Sequence, residues 1–236
     1  LNTKHPFEQV LINEAIVHAQ QEYPKEAVGF FVNDTYVPLE NIAEDPIKNF
    51  RVNPEMFIAY YGSIQAVIHS HGDYGHVSKE DMEGQIRSAI PWGVICLKNG
   101  AVDKIAFWGD QIDPYPLIGR VFLHGLWDCY GLLRDYFRFK GITLNQYPRD
   151  NRWWEHSPSM LEDNVLDAGF TQVDEKHLRK GDVVFMQIGA PVVNHCGVYL
   201  GGSLIIHHLY NKLSRREPIS NWRNSVSGYY RYTGDK

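Results

Sequence analysis

Two stretches of the chain hold side chains that could do chemistry. In "VIHSHGDYGHVSKEDME", Val67 to Glu83, two histidines stand one residue apart, with a serine and an aspartate following. Successive side chains of a strand alternate between faces, so His69 and His71 share a face and can reach one ion. Asp81, on the first turn of a following helix, can swing back beside them. Two imidazole nitrogens and one carboxylate leave a fourth tetrahedral position open, the ligand pattern of catalytic zinc. Water held there attacks a carbonyl near neutral pH but needs a base, and Glu26 in "PKEAVGFF" is available. The plainer alternative is a polar loop whose histidines only meet solvent.

The second stretch combines "WDCYGLLRDYF" with "NHCGVYLGGSLIIHH". Cys129 falls at a helix start with Asp128 as N-cap, where unpaired amides and the positive end of the helix dipole favour a thiolate. His195 opens one strand and His207 closes the next. If Gly201 and Gly202 turn the chain tightly, the two become neighbours on paired strands, giving the thiol a base and an orienting partner. The plainer alternative is that Cys129 is a small buried hydrophobe. Cys196, alternating away from His195, reads as core, as does Cys96.

These residues need elements to carry them. Apolar spacing predicts an opening helix over residues 7–22, then two short strands joined at Asn33 and Asp34. "IQAVIHSH" reads as a buried strand, and "SKEDMEGQIRSA" as a helix with Ser78 as N-cap and Asp81 at capping-box spacing. A strand, a turn at Asn99 and Gly100, and another strand follow. Beyond two prolines, "DCYGLLRDYFRFKG" and "HSPSMLEDNVLDAGF" read as helices closed by Gly141 and Gly169. "GDVVFMQI", "HCGVYLGG" and "SLIIHH" then alternate as strands. The expected fold class is α+β in two domains: residues 1–110, a linker at 111–118, and residues 119–236.

Composition sets the outer bounds. The chain has 236 residues, 44% of them hydrophobic and 22% charged, enough apolar surface for two cores. A net charge of -5 gives no basic field for nucleic acid, so no nucleic-acid partner is expected. No apolar run approaches the roughly 18 residues of a membrane span. The first residues also lack the apolar core of a signal peptide, so a soluble, cytoplasmic chain is expected. Three well-separated cysteines make no disulfide framework.

With "EAVGFF" upstream, "HSHGDYGHVSKED" resembles the JAMM (MPN/Mov34-type) metallopeptidase motif. The resemblance implies a mixed sheet with flanking helices and one zinc ion held by His69, His71 and Asp81. It also implies Glu26 as general base and Ser78 as a hydroxyl that stabilises the tetrahedral oxyanion. This sequence departs from the motif in having six residues between His71 and Ser78, one fewer than usual, and Gly72 in place of proline. The second half resembles the NlpC/P60 cysteine peptidases, which implies helices packed on an antiparallel sheet in a papain-like fold. Cys129 would be the nucleophile, His195 the base and His207 the orienting residue, with His208 as the competitor for that last role. Phe122 stands near the place of a tyrosine whose hydroxyl helps that family's oxyanion hole.

The two domains in this order resemble the K-type tail-tip assembly family of lambda-like phages. That resemblance implies a bifunctional peptidase acting on a peptidoglycan stem peptide or a tail protein, with other phage tail-tip proteins as partners. The host cytoplasm during assembly, and the virion tail tip, are the implied locations. The alternatives are a structural tail-tip component with inert sites and a cellular enzyme that remodels cell wall. Trp153 and Trp154 read as an exposed edge or partner contact, with local packing as the alternative.

Overall fold

A computed structural model describes residues 5–234. The first four residues of the expected first domain and the last two of the second lie outside the described residues. The fold is mixed α+β with two sheets. The chain divides into two compact units between Asp113 and Pro114. The segment expected as a linker is therefore shared between them. Gln111 donates to the Ala89 carbonyl and Ile112 is buried in the first unit, whereas the Tyr115 and Pro116 carbonyls accept from Arg120 in the second.

The first unit opens with α1 (Gln9–Glu22), whose Leu11, Ile12, Ala15 and Ala19 are buried along one stripe. β1 (Val28–Val32) and β2 (Thr35–Leu39) form a hairpin. Its turn residues Asn33 and Asp34 sit at φ 45° and 61°, the left-handed pair that matches the twist of a two-residue hairpin. A short α2 (Pro54–Ala59), capped by Asn53, precedes β3 (Ile64–His71). Then come α3 (Lys79–Ser88), β4 (Trp92–Lys98) and β5 (Ala101–Trp108). The strand order is β2-β1-β3-β4-β5, with β3 and β4 parallel and α3 as their crossover. Parallel neighbours need such a connection because a tight turn reverses the chain.

α1 packs on one sheet face with Phe31, Ala66, Ile68, Ile95 and Phe107 in a common core. Burying each of the larger side chains contributes on the order of 2 kcal/mol, which pins the register of β3. The alternation then has one outcome for the histidines. Ala66 and Ile68 face α1, so His69 and His71 must face the other way, toward α3.

The second unit contains α4 (Cys129–Arg138) and α5 (Met160–Asn164). Its strands are β6 (Phe170–Val173), β7 (Val183–Met186), β8 (His195–Gly201), β9 (Leu204–His207), β10 (Arg215–Pro218) and β11 (Val226–Tyr232). They form one sheet in the order β10-β9-β8-β7-β11-β6, antiparallel at every pairing. α4 turns Leu132, Leu133, Tyr136 and Phe137 inward against Val183, Phe185, Cys196, Val198 and Ile206.

Two local expectations differ here, and three strands went unexpected. The helix expected through "HSPSMLEDNVLDAGF" is only the five residues of α5, because the chain tightens into turn bonds, Gly169 N–H to Leu166 O among them, and exits at Gly169 (φ 85°). The β8–β9 turn lies one residue later than expected, at Gly202 and Ser203 (φ 58° and 63°), with Gly201 still paired to Leu204. β6, β10 and β11 carry little alternation of apolar residues and are strands only through their partners. Among the described residues, no helix is long and apolar enough to cross a membrane.

Candidate functional site

The first unit gathers His69, His71, Asp81 and Glu26. Ala27 N–H donates to Ser70 Oγ and Ser70 N–H to Ala27 O, a lock between β1 and β3 that leaves Glu26 across from His71. α3 begins with a capping box: Ser78 Oγ accepts from Asp81 N–H, and Asp81 Oδ2 accepts from Ser78 N–H at 2.9 Å. The box fixes the Asp81 carboxylate over the histidines. His69 Nε2 lies 3.0 Å from His71 Nε2 and 3.3 Å from Asp81 Oδ1, and His71 Nε2 lies 3.2 Å from Asp81 Oδ2. The shorter loop and Gly72 therefore do not keep Asp81 from the histidines, and Ser78 is tied to Asp81 by the capping box. Gly72 has no positive φ, so its backbone makes no special demand there.

The donor set fits a small tetrahedral cation. Two ligand atoms, each roughly 2.1 Å from such an ion, stand about 3.4 Å apart, close to the three separations seen here. His71 Nδ1 donates to the His76 carbonyl at 2.7 Å, which fixes the tautomer and leaves Nε2 with a lone pair aimed into the cluster. His69 Nδ1 finds no such partner. Burial pushes the His71 imidazole down, toward the neutral form a ligand needs. Burial alone would raise Asp81, but His69 and the hydrogen bonds of both imidazoles hold it well below the usual carboxylate range.

Glu26 is almost fully buried, with Oε1 3.7 Å from His71 Nε2. Burial, with the charges of Asp81 and Asp45, pushes it up to about 9. Tyr74 stacks on His71 at 4.5 Å and donates its hydroxyl to Glu26 Oε1. Sequence reasoning missed Tyr74 and the His76 carbonyl. Both lie in the loop between the motif's two halves, where spacing alone assigns no partner. A cleft of about 430 Å³, lined by Glu26, Phe50, Ser78, Asp81 and Trp92 among others, opens onto the cluster.

In the second unit the Asp128 carboxylate caps α4 by accepting Gly131 N–H at 2.9 Å, which sets Cys129 at the first helical position. The Cys129 amide there has no acceptor within the helix. Two neighbours from β8 reach the sulfur. Interaction with the Cys196 thiol, and then with the His195 imidazole, outweighs burial and holds Cys129 well below an ordinary thiol. Cys196, facing Cys129 and buried, is held high and stays protonated. Cys196 is in the core and alternates away from His195, as its position suggests. The face it occupies, however, is the one α4 covers, so it meets the Cys129 sulfur.

His195 Nε2 lies 3.0 Å from His207 Nδ1. His208, the other candidate, bonds the Lys212 carbonyl and packs edge-on to Phe122 instead. His207 Nε2 is 3.2 Å from Glu217 Oε2, the oxygen that also accepts Trp222 Nε1–H at 2.7 Å. Glu217 is a carboxylate and can only accept, so His207 carries its proton on Nε2. His207 Nδ1 is then an acceptor, His195 Nε2 its donor, and His195 Nδ1 is left with a lone pair for the thiol proton. Burial and the adjacent His195 bring His207 down to about 4, so this ring stays neutral at pH 7.

Residues 114–231 match the model of the NlpC/P60 family. The chain belongs to the NlpC/P60 family. It is also similar over nearly its whole length to Tail tip assembly protein K of Escherichia phage N15, 33% identical over 235 residues and covering 95% of each chain. Tail tip assembly protein K of Escherichia phage lambda is 32% identical over 173 residues, 72% of this chain and 83% of that one. A solved NlpC/P60 family protein from Bacillus cereus ATCC 10987 is 14% identical, with a TM-score of 0.38, over 97% of this chain and 67% of that one.

The NlpC/P60 unit offers a cleft of about 320 Å³ above Cys129 and His195. Phe122, Trp153, Trp154 and Tyr210 are among its walls. Trp153 is buried in the core and Trp154 packs against it, so local packing accounts for this pair rather than an exposed edge. Phe122 packs against Tyr210 at 4.9 Å. Glu217 and Trp222 were not legible beforehand. "RREP" is polar and short, and only its pairing with β9, Arg215 opposite His207, brings the carboxylate to the histidine.

Proposed function

We propose that this chain is a phage tail-tip assembly protein with two peptidase centres, a cysteine centre in the NlpC/P60 unit and a zinc centre in the first unit. The observation that carries the reading is the one-directional line of hydrogen bonds from His195 through His207 to Glu217, beside Cys129. Cys129 attacks the scissile carbonyl carbon as the thiolate. His195 Nδ1 takes the thiol proton and returns it to the leaving amine. His207 holds the imidazole and spreads its positive charge toward Glu217. The Cys129 amide, at the helix N-terminus, faces the developing oxyanion. A peptidoglycan stem peptide is the substrate, and other tail-tip proteins are the partners, with the host cytoplasm and the virion tail tip as the locations.

In the first unit His69, His71 and Asp81 would hold the zinc ion, as JAMM-type metallopeptidases do. A bound zinc would supply an acidified water and polarise the carbonyl. Glu26 would act as the base that passes a proton to the leaving nitrogen, with the charge of a bound zinc opposing the burial that otherwise keeps its carboxyl protonated; Tyr74 would position that carboxyl, and the Ser78 hydroxyl would stabilise the oxyanion.

Two measurements test the reading. Purified protein should carry about one zinc per chain, lost in His71→Ala; a folded wild type that takes up no zinc would remove the metal centre. Muropeptides should be cleaved by wild type and not by Cys129→Ala, and equal cleavage by both would remove the thiol mechanism.

A further inference from the structure

A buried charge pair lies at the N-terminus of α4, directly beside the cysteine. Asp128 Oδ1 accepts from Gly131 N–H, Oδ2 accepts from Gly125 N–H at 3.0 Å, and Oδ2 also meets Arg149 Nη2 at 2.5 Å. Arg149 donates through Nη1 to the Tyr147 carbonyl at 2.8 Å, and its guanidinium lies 5.5 Å from the Tyr130 ring. Both residues are about 95% buried, with exposures of 5% and 4%. Capping a helix does not need this, because a neutral asparagine caps as well and avoids desolvating two charges. A lone carboxylate next to Cys129 would oppose the thiolate on which the cysteine centre depends. The pair therefore has an electrostatic consequence at the sulfur.

We propose that Arg149 is a positioning residue of the cysteine centre: it holds the Asp128 carboxylate as a neutral pair, so that the cap organises α4 without repelling the Cys129 thiolate. This rests on the reading of Cys129 as the nucleophile. The other groups facing this corner are His195 and Cys196 from β8, His208 after β9, and His124 from the loop before α4. His124 Nδ1 stands 3.9 Å from Asp128 Oδ2. Arg120 also faces this corner, but its guanidinium is already matched by Asp135 Oδ2 at 2.8 Å; the histidines and the thiol carry no permanent charge, which leaves Arg149 as the direct counter-ion to Asp128.

The test is the pH dependence of Cys129 alkylation by iodoacetamide in the full chain, read by mass spectrometry on the Cys129 peptide. Arg149→Met should raise the midpoint by about one pH unit or more. Arg149→Lys, which keeps the charge, should stay within about 0.3 unit of wild type, and Asp128→Asn with Arg149→Met should bring the midpoint back down. An unmoved midpoint in Arg149→Met, or a double variant as high as the single one, overturns the proposal. If Arg149→Met does not fold, Asp128→Asn alone decides. Its amide oxygen still caps α4 and Arg149 is left unopposed, so the midpoint should fall, and an unmoved or raised midpoint overturns the proposal. Thiol titration does not depend on peptidase activity, so a failed muropeptide assay with Cys129→Ala would remove the nucleophile role without disturbing this result.

Discussion

Replacing Glu217 by glutamine asks whether the carboxylate at the end of the histidine line acts on catalysis. Glu217 Oε2 accepts from His207 Nε2 and Trp222 Nε1, while Oε1 faces Arg215 Nη2 at 2.5 Å. An amide cannot satisfy all three donors. With its oxygen toward His207 and Trp222, its NH2 meets the Arg215 guanidinium. Turned round, it sets its own donor against both rings. A hydrogen bond to a charged group is worth about 1.5–3 kcal/mol, and the 3.2 Å length and partial exposure of Glu217 favour the lower half. Only the part that grows as His195 becomes imidazolium affects the rate. About 1.5–2 kcal/mol corresponds to a fall in kcat of roughly 10- to 30-fold, with KM within about twofold. The assay is steady-state cleavage of a defined muropeptide, with the thermal unfolding midpoint as the control for folding. A fall below about threefold, or one carried by KM alone, would refute the one-directional path.

Three further outcomes follow from packing and charge. A Cβ on Gly131 would stand 1.7 Å from the Leu126 carbonyl oxygen, so Gly131→Ala must displace either the start of α4 or the loop before it. It should cost at least about 2 kcal/mol in urea unfolding and abolish Cys129-dependent cleavage. Phe107→Ala removes a side chain that is 1% exposed from the core under α1 and should cost about 3–5 kcal/mol, read in the same titration. Burial opposes ionisation of Asp128, but Arg149, His124 and the Gly131 amide hold its carboxyl below the ordinary 3.8, so it binds fewer protons folded than unfolded. The stability it contributes is present above that value and is lost as pH falls below about 4, a loss that acid titration should show to be smaller in Asp128→Asn.

Much of both centres was legible before the fold. The spacing of His69 and His71, the Ser78 and Asp81 cap, and Asp128 before Cys129 are local relations, set by strand alternation and by the first turn of a helix. α1, the Asn33–Asp34 and Asn99–Gly100 turns, and the strands carrying the histidines were legible for the same reason. α5 was overextended because its apolar spacing continues past Asn164 while the backbone already turns. β10 was missed because a polar four-residue edge strand carries no periodic signal of its own.

Residue types and local spacing thus determined which groups could do chemistry: two imidazoles and a carboxylate in one unit, a thiol and two imidazoles in the other. They did so because a strand repeats every two residues and a helix presents its cap and first turn together, whatever the rest of the chain does. Only the tertiary structure decided which neighbours complete each centre. Tyr74 against Glu26, Cys196 and His195 on Cys129, Glu217 behind His207, and Arg149 on Asp128 all join segments separated in sequence or hidden in loops. Their meeting depends on how sheets pair and helices pack, and no local period in the chain encodes that.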